Sequence, residues 1–493
     1  MNEWPKNPVI YEINTWVWLE ELSQKLKVVV TLSNVPEETW DSLSGLYVDA
    51  VWLMGVWKRS RAGIDISNQH PGNLADFHSA LEDFIPEDNI GSPYCVGDYT
   101  VDGRLGGMEG LAMARQQLAL RGIRLILDYV PNHLAQDHPW IKKHPEYFIQ
   151  GHAEDLTKDP VTFTNIGEKI FACGKDPYYP AWQDVIQVNA FYPGFRKASL
   201  DTVMKIASLC DGIRCDMAML LMNQVFVKTW GERAGAVPLT DYWDGLIPPV
   251  KNAFPGFLFI AEAYWDLEWE LQEQGFDYCY DKRLYDRLEH GDPVLVREHL
   301  KAERTFQFKL LRFIENHDEP RAAALFKNNK RQAAILAVST LPGARLFYEG
   351  QFEGRKVRLP VFLCRRPEEM TDTESREFYL KILKIIAGPA FHEGEWQLCE
   401  CCGWADNDNF LNFFAWTWKL KSDRYLVVIN FCDRESQGKV RFYWEELRGK
   451  NWELFDLLSE VTYNRIGEEM LQPGLYIGLP AWGYHFFKIN ELS

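Results

Sequence analysis

Four apolar stretches of this chain end in side chains that can bind a ligand or move a proton. These end residues are Asp128 with His133, Arg214 with Asp216, Glu262, and His317 with Asp318. A single carboxylate at the end of a buried stretch is commonly a helix cap or half of an ion pair, because an unpaired buried charge is costly. Four such ends together with an arginine and two histidines favour one shared site. Carboxyl groups in such a site can act as nucleophile, general acid and general base.

Three converging carboxylates match the requirements of retaining glycoside hydrolysis, in which one attacks the anomeric carbon and another protonates the leaving oxygen. Residues two apart on a strand face the same side, so we expect Arg214 to pair with Asp216 and keep this nucleophile ionised. Glu262 follows the apolar segment 259–261. An apolar setting raises the pKa of a carboxyl group, which predicts a protonated general acid at Glu262.

The elements that must carry these residues form a repeating pattern over the first 350 positions. Near-continuous apolar runs with helical stretches between them predict parallel strands buried on both faces. The eight runs lie at 9–13, 48–54, 124–130, 211–216, 257–263, 276–280, 310–318 and 344–350. One helical stretch is 106–122, where Leu111, Ala114 and Leu118 share a face and Gly122 closes the helix. Eight strand–helix units predict an α/β fold, a (β/α)₈ or TIM barrel, whose sites lie at the carboxyl ends of the strands.

Two further units interrupt or follow the predicted barrel, which occupies residues 1–390. The gap between the third and fourth strands is polar and rich in proline and aromatic residues, which predicts an inserted subdomain at 134–195. From residue 391 to residue 493 short apolar strands alternate with polar turns. This pattern predicts a C-terminal all-β sandwich domain.

Composition narrows the class of ligand. The net charge of −17 disfavours a nucleic acid or an anionic membrane as partner, and the 19 tryptophans suit the apolar faces of sugar rings. No basic segment with an apolar core opens the chain, and no window approaches the roughly 20 apolar residues that span a bilayer. The ten cysteines are scattered, and no second pair completes a zinc site with the C-x-C-C at 399–402. We therefore expect a cytoplasmic protein with reduced thiols and a neutral ligand; its oligomeric state is left open.

The motifs around these residues resemble those of the α-amylase family, in the family's order. They are DYVPNH at 128–133, GIRCD at 212–216, FIAEA at 259–263 and FIENHD at 313–318. The resemblance implies the following roles: Asp216 as nucleophile, Glu262 as general acid/base, Asp318 as transition-state stabiliser, His133, Arg214 and His317 as sugar-binding residues, and Asp128 as support for Arg214. It also implies a barrel with an inserted B domain after the third strand and a C-terminal β-sandwich.

Some positions depart from the family pattern. Many amylases carry Lys-His after the nucleophile, where this chain has Met219-Leu220, so calcium is not expected although Asn132 matches one family ligand position. We predict no metal and no cofactor, and calcium is left as the alternative. Tyr94 resembles the family tyrosine that stacks on the sugar. Cys95 stands where exo-acting relatives often have Asp, which favours an internal or unusual binding mode.

Other candidates have a simpler interpretation. Trp57, Trp265 and Phe352 lie near strand ends, but for each of them packing in the core or under a lid is the expected role. Cys215 should point away from its neighbours Arg214 and Asp216, so we do not expect it to be a nucleophile.

The sequence therefore predicts a retaining enzyme that hydrolyses α-glucosidic bonds, with α-1,4 the expected linkage, in α-glucans or maltooligosaccharides. The first alternative is a transglycosylase or disaccharide-converting enzyme, since the same intermediate can pass to a sugar instead of water. The second is a catalytically silent carbohydrate-binding protein, because a fold alone does not establish activity.

Overall fold

Eight parallel strands form a closed barrel in a computed structural model that describes residues 3–327 and 329–492. The strands run in chain order around the barrel. They span Val9–Asn14, Ala50–Met54, Arg124–Tyr129, Gly212–Cys215, Leu258–Ala261, Tyr278–Tyr280, Leu310–Arg312 and Ala344–Tyr348. Every strand residue except Arg124 is buried, which is why the strands read as continuous apolar runs. The predicted barrel is confirmed.

Helices cover the outside of the barrel and its loops. The helices of eight or more residues are Thr15–Leu26, Glu37–Ser44, Pro71–Ala80, Gly107–Leu120, Pro193–Leu209, Asn223–Trp230, Tyr242–Ala253, Lys282–His290, Pro293–Leu300, Asn329–Thr340 and Thr373–Ile386. The helix predicted at 106–122 spans Gly107–Leu120 and buries Leu111, Ala114 and Leu118. Gly122 follows it with φ of 73°, a left-handed conformation that glycine adopts without strain. Among the described residues, no helix is both long and apolar enough to cross a bilayer.

Aspartates at the amino end of the barrel tie its strands together in pairs. The residue just before the second, fourth and sixth barrel strands is an aspartate. Each accepts a hydrogen bond from a backbone N–H near the start of the barrel strand that precedes it. The pairs are Asp49 with Val9 at 2.8 Å, Asp211 with Leu125 at 2.9 Å, and Asp277 with Phe259 at 2.8 Å. Hydrogen bonds to charged groups are stronger than neutral ones, so these contacts help to fix the register that aligns the opposite strand ends.

The chain leaves the third barrel strand to build a small antiparallel sheet. Its strands are His133–Ala135, Phe163–Ile166, Lys169–Gly174 and Trp182–Gln187, with the last lying between the first and the third. Short helices at Pro139–Lys143 and Ala153–Lys158 accompany it. The sheet begins one residue before the predicted insertion at 134–195. Because His133 opens this sheet, the insertion starts at a predicted site residue.

The C-terminal region is a two-sheet β domain. Its six-stranded sheet contains Glu395–Leu398, Phe413–Leu420, Asp423–Asn430, Tyr484–Glu491, Asn451–Asp456 and Thr462–Ile466 in spatial order. Its three-stranded sheet contains Glu400–Cys402, Ser436–Arg441 and Leu475–Leu479. Phe413, Val440 and Leu475 belong to one apolar core that joins both sheets. Trp418 donates its indole N–H to the carbonyl of Thr340 at 2.7 Å, which links this domain to a barrel helix.

Candidate active site

Asp216, Glu262 and Asp318 lie at the carboxyl end of the barrel, after the fourth, fifth and seventh strands. All three line one cavity of about 260 Å³, together with Tyr94 and His133. The first two follow their strands directly, whereas Asp318 lies six residues beyond Arg312, the last residue of its strand. The structure therefore brings together the three carboxylates that were predicted from separate motifs.

Arg214 connects two of these carboxylates. Its guanidinium is fully buried, and it places Nη1 2.9 Å from Oδ1 of Asp216 and Nη2 2.8 Å from Oε2 of Glu262. Asp128 lies further away, with its Oδ1 3.7 Å from Nη1. Since two nitrogens of one guanidinium contact both carboxylates, Asp216 and Glu262 are near neighbours in the site. The predicted pairing of Arg214 with Asp216 is present.

The protonation state of Asp216 differs from the prediction that Arg214 keeps it ionised. Burial in the cavity and the nearby Glu262 carboxylate raise the pKa of Asp216 to about 8, although Arg214 opposes this shift. Two buried carboxylates side by side do not both ionise easily, so Asp216 is largely protonated near neutral pH. In the absence of a ligand, Arg214 is therefore not sufficient to keep Asp216 fully ionised.

Glu262 has more polar neighbours than the apolar segment before it suggested. Its Oε2 accepts a hydrogen bond from the backbone N–H of Met217 at 2.6 Å, and its Oε1 accepts one from the Tyr264 hydroxyl at 2.9 Å. Met217, directly after Asp216, has a positive φ of 43°. Residues 259–261 lie in the strand, and the buried carboxyl group of Glu262 lies beyond it with these polar partners.

His317 lies between two carboxylates and a phenol. Its Nδ1 contacts Oε1 of Glu12, and its Nε2 lies 3.0 Å from Oδ2 of Asp318 and 2.6 Å from the hydroxyl of Tyr94. Burial opposes a charge on His317, but Asp318 and Glu12 outweigh burial and raise the pKa of the imidazole well above its usual range. Burial also disfavours ionisation of Asp318, yet the His317 cation lowers its pKa to about 2. Asp318 is therefore the carboxylate that stays ionised.

The remaining predicted residues support the walls of the cavity. Asp128 is buried and accepts a hydrogen bond from the N–H of Gly55 at 3.2 Å, and burial raises its pKa to about 6 against the effect of Arg214. Burial lowers the pKa of His133 to about 4, so this imidazole is neutral at physiological pH. The ring of Tyr94 lies 5.0 Å from the Arg214 guanidinium and stacks on the His317 ring with ring centres 5.3 Å apart, so its role as a sugar platform stays a prediction.

The residues near Asn132 do not fit the calcium ion that the family resemblance implies. The side-chain amide of Gln187 donates to the side-chain oxygen of Asn132 at 2.9 Å and to its backbone oxygen at 3.0 Å. Both residues are buried. Over the described residues, no group of three or more His, Cys, Asp or Glu side chains is placed to share a metal ion. Calcium prefers six to eight oxygen ligands including carboxylates, and here an amide takes up the oxygens of Asn132.

Three aromatic residues near strand ends have different surroundings. Trp57 and Phe352 are each only 1% exposed, and Trp57 donates its indole N–H to the carbonyl of Asp128, so both are core residues as expected. Trp265 packs against Tyr178 with ring centres 4.8 Å apart. Cys215 is fully buried.

Four residues of the site were not found from the sequence: Glu12, Trp182, Tyr264 and Phe362. Trp182 and Phe362 line the catalytic cavity, and Trp182 lies 5.3 Å from the ring of His133. Tyr264 had a local signal, because it lies two residues after Glu262. The other three lie far along the chain from the motifs, so only the fold brings them to the site.

Comparison with known proteins supports the same family over different parts of the chain. Residues 37–178 match the family described as alpha amylase, catalytic domain. Alpha-amylase MalA of Haloarcula japonica is 26% identical over 371 residues, which is 72% of this chain and 45% of MalA. The chain thus spans less than half the length of that relative. Alpha-1,4-glucan:maltose-1-phosphate maltosyltransferase of Bifidobacterium longum is 27% identical over 220 residues, or 42% of this chain and 25% of that protein.

The whole fold also has a close counterpart among solved structures. The maltogenic alpha-amylase AmyB from Thermotoga neapolitana superposes with a TM-score of 0.70 at 18% identity, covering 99% of each chain. At this identity the similarity concerns the fold, including the barrel and the C-terminal β domain.

Proposed function

We propose that this chain, which is similar to the α-amylase family, is a retaining glycoside hydrolase that cleaves α-glucosidic bonds of α-glucans or maltooligosaccharides. The observation that supports this proposal most directly is the single cavity lined by Asp216, Glu262 and Asp318. The contact of Arg214 with both Asp216 and Glu262 favours the short carboxylate separation of a retaining site over the wider one of an inverting site. We propose α-1,4 as the linkage.

In the proposed mechanism, Asp216 attacks the anomeric carbon while Glu262 gives its proton to the departing glycosidic oxygen. The bond to the leaving sugar breaks as the Asp216–glycosyl ester forms. Glu262, now ionised, removes a proton from water, which attacks the anomeric carbon and releases Asp216. The α configuration is retained because two inversions occur.

The raised pKa of Asp216 bears on this reaction, because Asp216 attacks only in its ionised form. We propose that a bound sugar favours the ionised form of Asp216 beside a protonated Glu262. Asp318, whose pKa is lowered by His317, provides a fixed negative charge for the oxocarbenium-like transition state.

Trapping of the intermediate tests the roles of the two residues separately. Glu262→Gln cannot protonate a leaving group, but fluoride leaves without a proton. We expect α-maltosyl fluoride to glycosylate Asp216 in this variant, and mass spectrometry of the peptide containing Asp216 to show the added maltosyl group. Asp216→Asn is the matched control and should remain unlabelled. Labelling at another residue, or unchanged turnover of maltoheptaose in either variant, would contradict the assignment.

Transfer to a sugar instead of water is a second candidate function. It is favoured by the similarity to a maltosyltransferase over 220 residues that include part of the barrel. A time course of products from maltoheptaose separates the two: shorter α-sugars alone support hydrolysis, and longer sugars support transfer. If no product forms from maltoheptaose, trehalose, sucrose or an α-1,6-linked glucan, the catalytically silent binding protein becomes the better description.

We further propose that the reaction needs neither a cofactor nor a metal and that the protein works in the cytoplasm. The mismatch at Asn132 supports the first part. The second is supported by the ten cysteines, all of which are free thiols and five of which are buried in the barrel and its insertion.

A further inference from the structure

Two further cavities adjoin the catalytic one. The first, of about 370 Å³, shares Trp182, Asp184 and Phe362 with it. The second, of about 520 Å³, shares Asp318 and Phe362 with it. Phe362 thus lines all three cavities and lies at the point where the two side cavities diverge. We call them the Trp182 arm and the Arg358 arm, after a residue that lines each.

Phe362 is held in place by its backbone and by its ring. Its carbonyl accepts a hydrogen bond from the N–H of Ile90 at 2.9 Å, and two residues later Cys364 donates its N–H to the carbonyl of Asp88 at 2.9 Å. The Phe362 ring packs against Phe77 with ring centres 5.6 Å apart. An aromatic ring anchored at both ends of its segment is a fixed divider and not a mobile lid.

The position of Glu262 indicates which side of the cleaved bond the arms serve. A general acid lies beside the departing oxygen, so the leaving group must pass Glu262 and the residues that contact it, Met217 and Tyr264. Among the described residues that line the two arms, none is Glu262, Met217 or Tyr264. This separation from the general acid is what a position on the side of the sugar transferred to Asp216 requires.

We propose that the donor side of the active site is forked and binds a branched glycosyl unit, with one chain on each side of Phe362. This inference rests on the proposed function and specifies its substrate. A glucosyl unit in the catalytic cavity can carry one chain on O4 and another on O6, and each arm has the volume of a small ligand site. Phe362 is the residue that separates the two chains.

The polar groups of both arms suit sugar hydroxyls. The Trp182 arm contains His70, Asn73 and Asp184. The Arg358 arm contains Asp76 and Arg358, both exposed side chains. The rings of Trp182 and Phe362 add apolar faces on which a sugar ring can stack.

A set of aryl α-glucosides tests the proposal. All of them have the same aryl leaving group, so they differ only in the glycosyl unit that is transferred to Asp216. The donors carry a glucosyl group on O4 alone, on O6 alone, or on both. For the wild-type enzyme we expect the doubly substituted donor to be cleaved with kcat/KM at least equal to that of either singly substituted donor. Phe362→Ala should lower kcat/KM at least about 10-fold for the doubly substituted donor and less than about 3-fold for the O4 donor.

Two variants serve as controls. Phe84→Leu changes the same aromatic cluster through Phe77 and is not among the residues that line the catalytic cavity or the two arms, so it should not alter the ratio between donors. Arg358→Gln changes an exposed side chain, so this variant should fold even if Phe362→Ala does not. It should lower kcat/KM for the doubly substituted donor more than for the singly substituted donors.

Three outcomes would overturn the proposal: rejection of the doubly substituted donor by the wild-type enzyme, an equal loss for all donors in Phe362→Ala, or no selective loss in Arg358→Gln. Failure of the proposed function gives a different result, since no donor would then release its aryl group.

Discussion

Glu12 pairs with Nδ1 of His317, although the two residues are 305 positions apart in the sequence. Glu12 lies in the first barrel strand and His317 follows the seventh, and both side chains are fully buried. Nε2 of the same imidazole faces Asp318. Glu12 therefore acts on the catalytic cavity through His317, as a positioning residue that favours the imidazolium.

Replacing Glu12 by Gln should show this effect in the pH profile. Without the carboxylate, the pKa of His317 falls, so the alkaline limb of kcat/KM should move to lower pH. The raised pKa of His317 stabilises the fold below the unfolded value near 6.5 and ceases to do so as pH rises through the folded value. We expect a loss on the order of 1–3 kcal/mol in unfolding free energy at pH 6 that shrinks at alkaline pH.

The exposed Glu38→Gln is the control for this variant, and it should change neither the pH profile nor the stability. A Glu12→Gln enzyme with lower activity but an unshifted pH profile would show that Glu12 has only a structural role.

Asp216→Asn should stabilise the protein while it abolishes activity. A carboxyl group whose folded pKa is raised to about 8 destabilises the fold as pH rises from its unfolded value near 4 to about 8. The asparagine variant lacks this penalty, so its gain in unfolding free energy should grow over this range, by at most about 1.4 kcal/mol per pH unit. Chemical denaturation at pH 5, 6.5 and 8 measures the gain. Asp201→Asn, at an exposed helix position, should give no such trend.

Calcium should not affect the stability of this protein. Because the amide of Gln187 donates to both oxygens of Asn132, we expect the same Tm in EDTA and in calcium chloride. Gln187→Ala leaves buried polar groups unpaired and should lower the unfolding free energy by about 2 kcal/mol, without rescue by calcium. A rise of several degrees in Tm on addition of calcium to the wild-type protein would contradict this prediction.

Thiol reagents should leave the activity intact. Cys95 lines the catalytic cavity and Cys215 lies next to the nucleophile, but burial raises the pKa of both thiols well above the usual range. Thiols react as thiolates, so iodoacetamide at pH 7.5 should modify the partly exposed Cys432 first. Rapid inactivation that substrate prevents would show instead that Cys95 is reactive.

Much of the fold was predictable from local pattern. Each barrel strand is buried on both faces, and such strands must be apolar throughout, so all eight predicted runs contain a strand. Their ends were less clear, because the run at 310–318 contains a strand only at Leu310–Arg312 and continues as the loop that carries Asp318. Asp216 and Glu262 were also predictable as site residues, since each directly follows an apolar run and a carboxylate after a buried strand is unusual.

The sequence by itself determined the barrel, the insertion after its third strand, the C-terminal β domain and the residues at the strand ends. Each of these features follows from the periodicity and composition of a continuous segment. The tertiary structure alone decided which distant residues act on them. Closing the barrel brings Glu12 to His317, and folding the last barrel loop over the rim places Phe362 between two cavities. The raised pKa of Asp216 likewise depends on burial and on the proximity of Glu262, which are properties of three-dimensional distance and not of order along the chain.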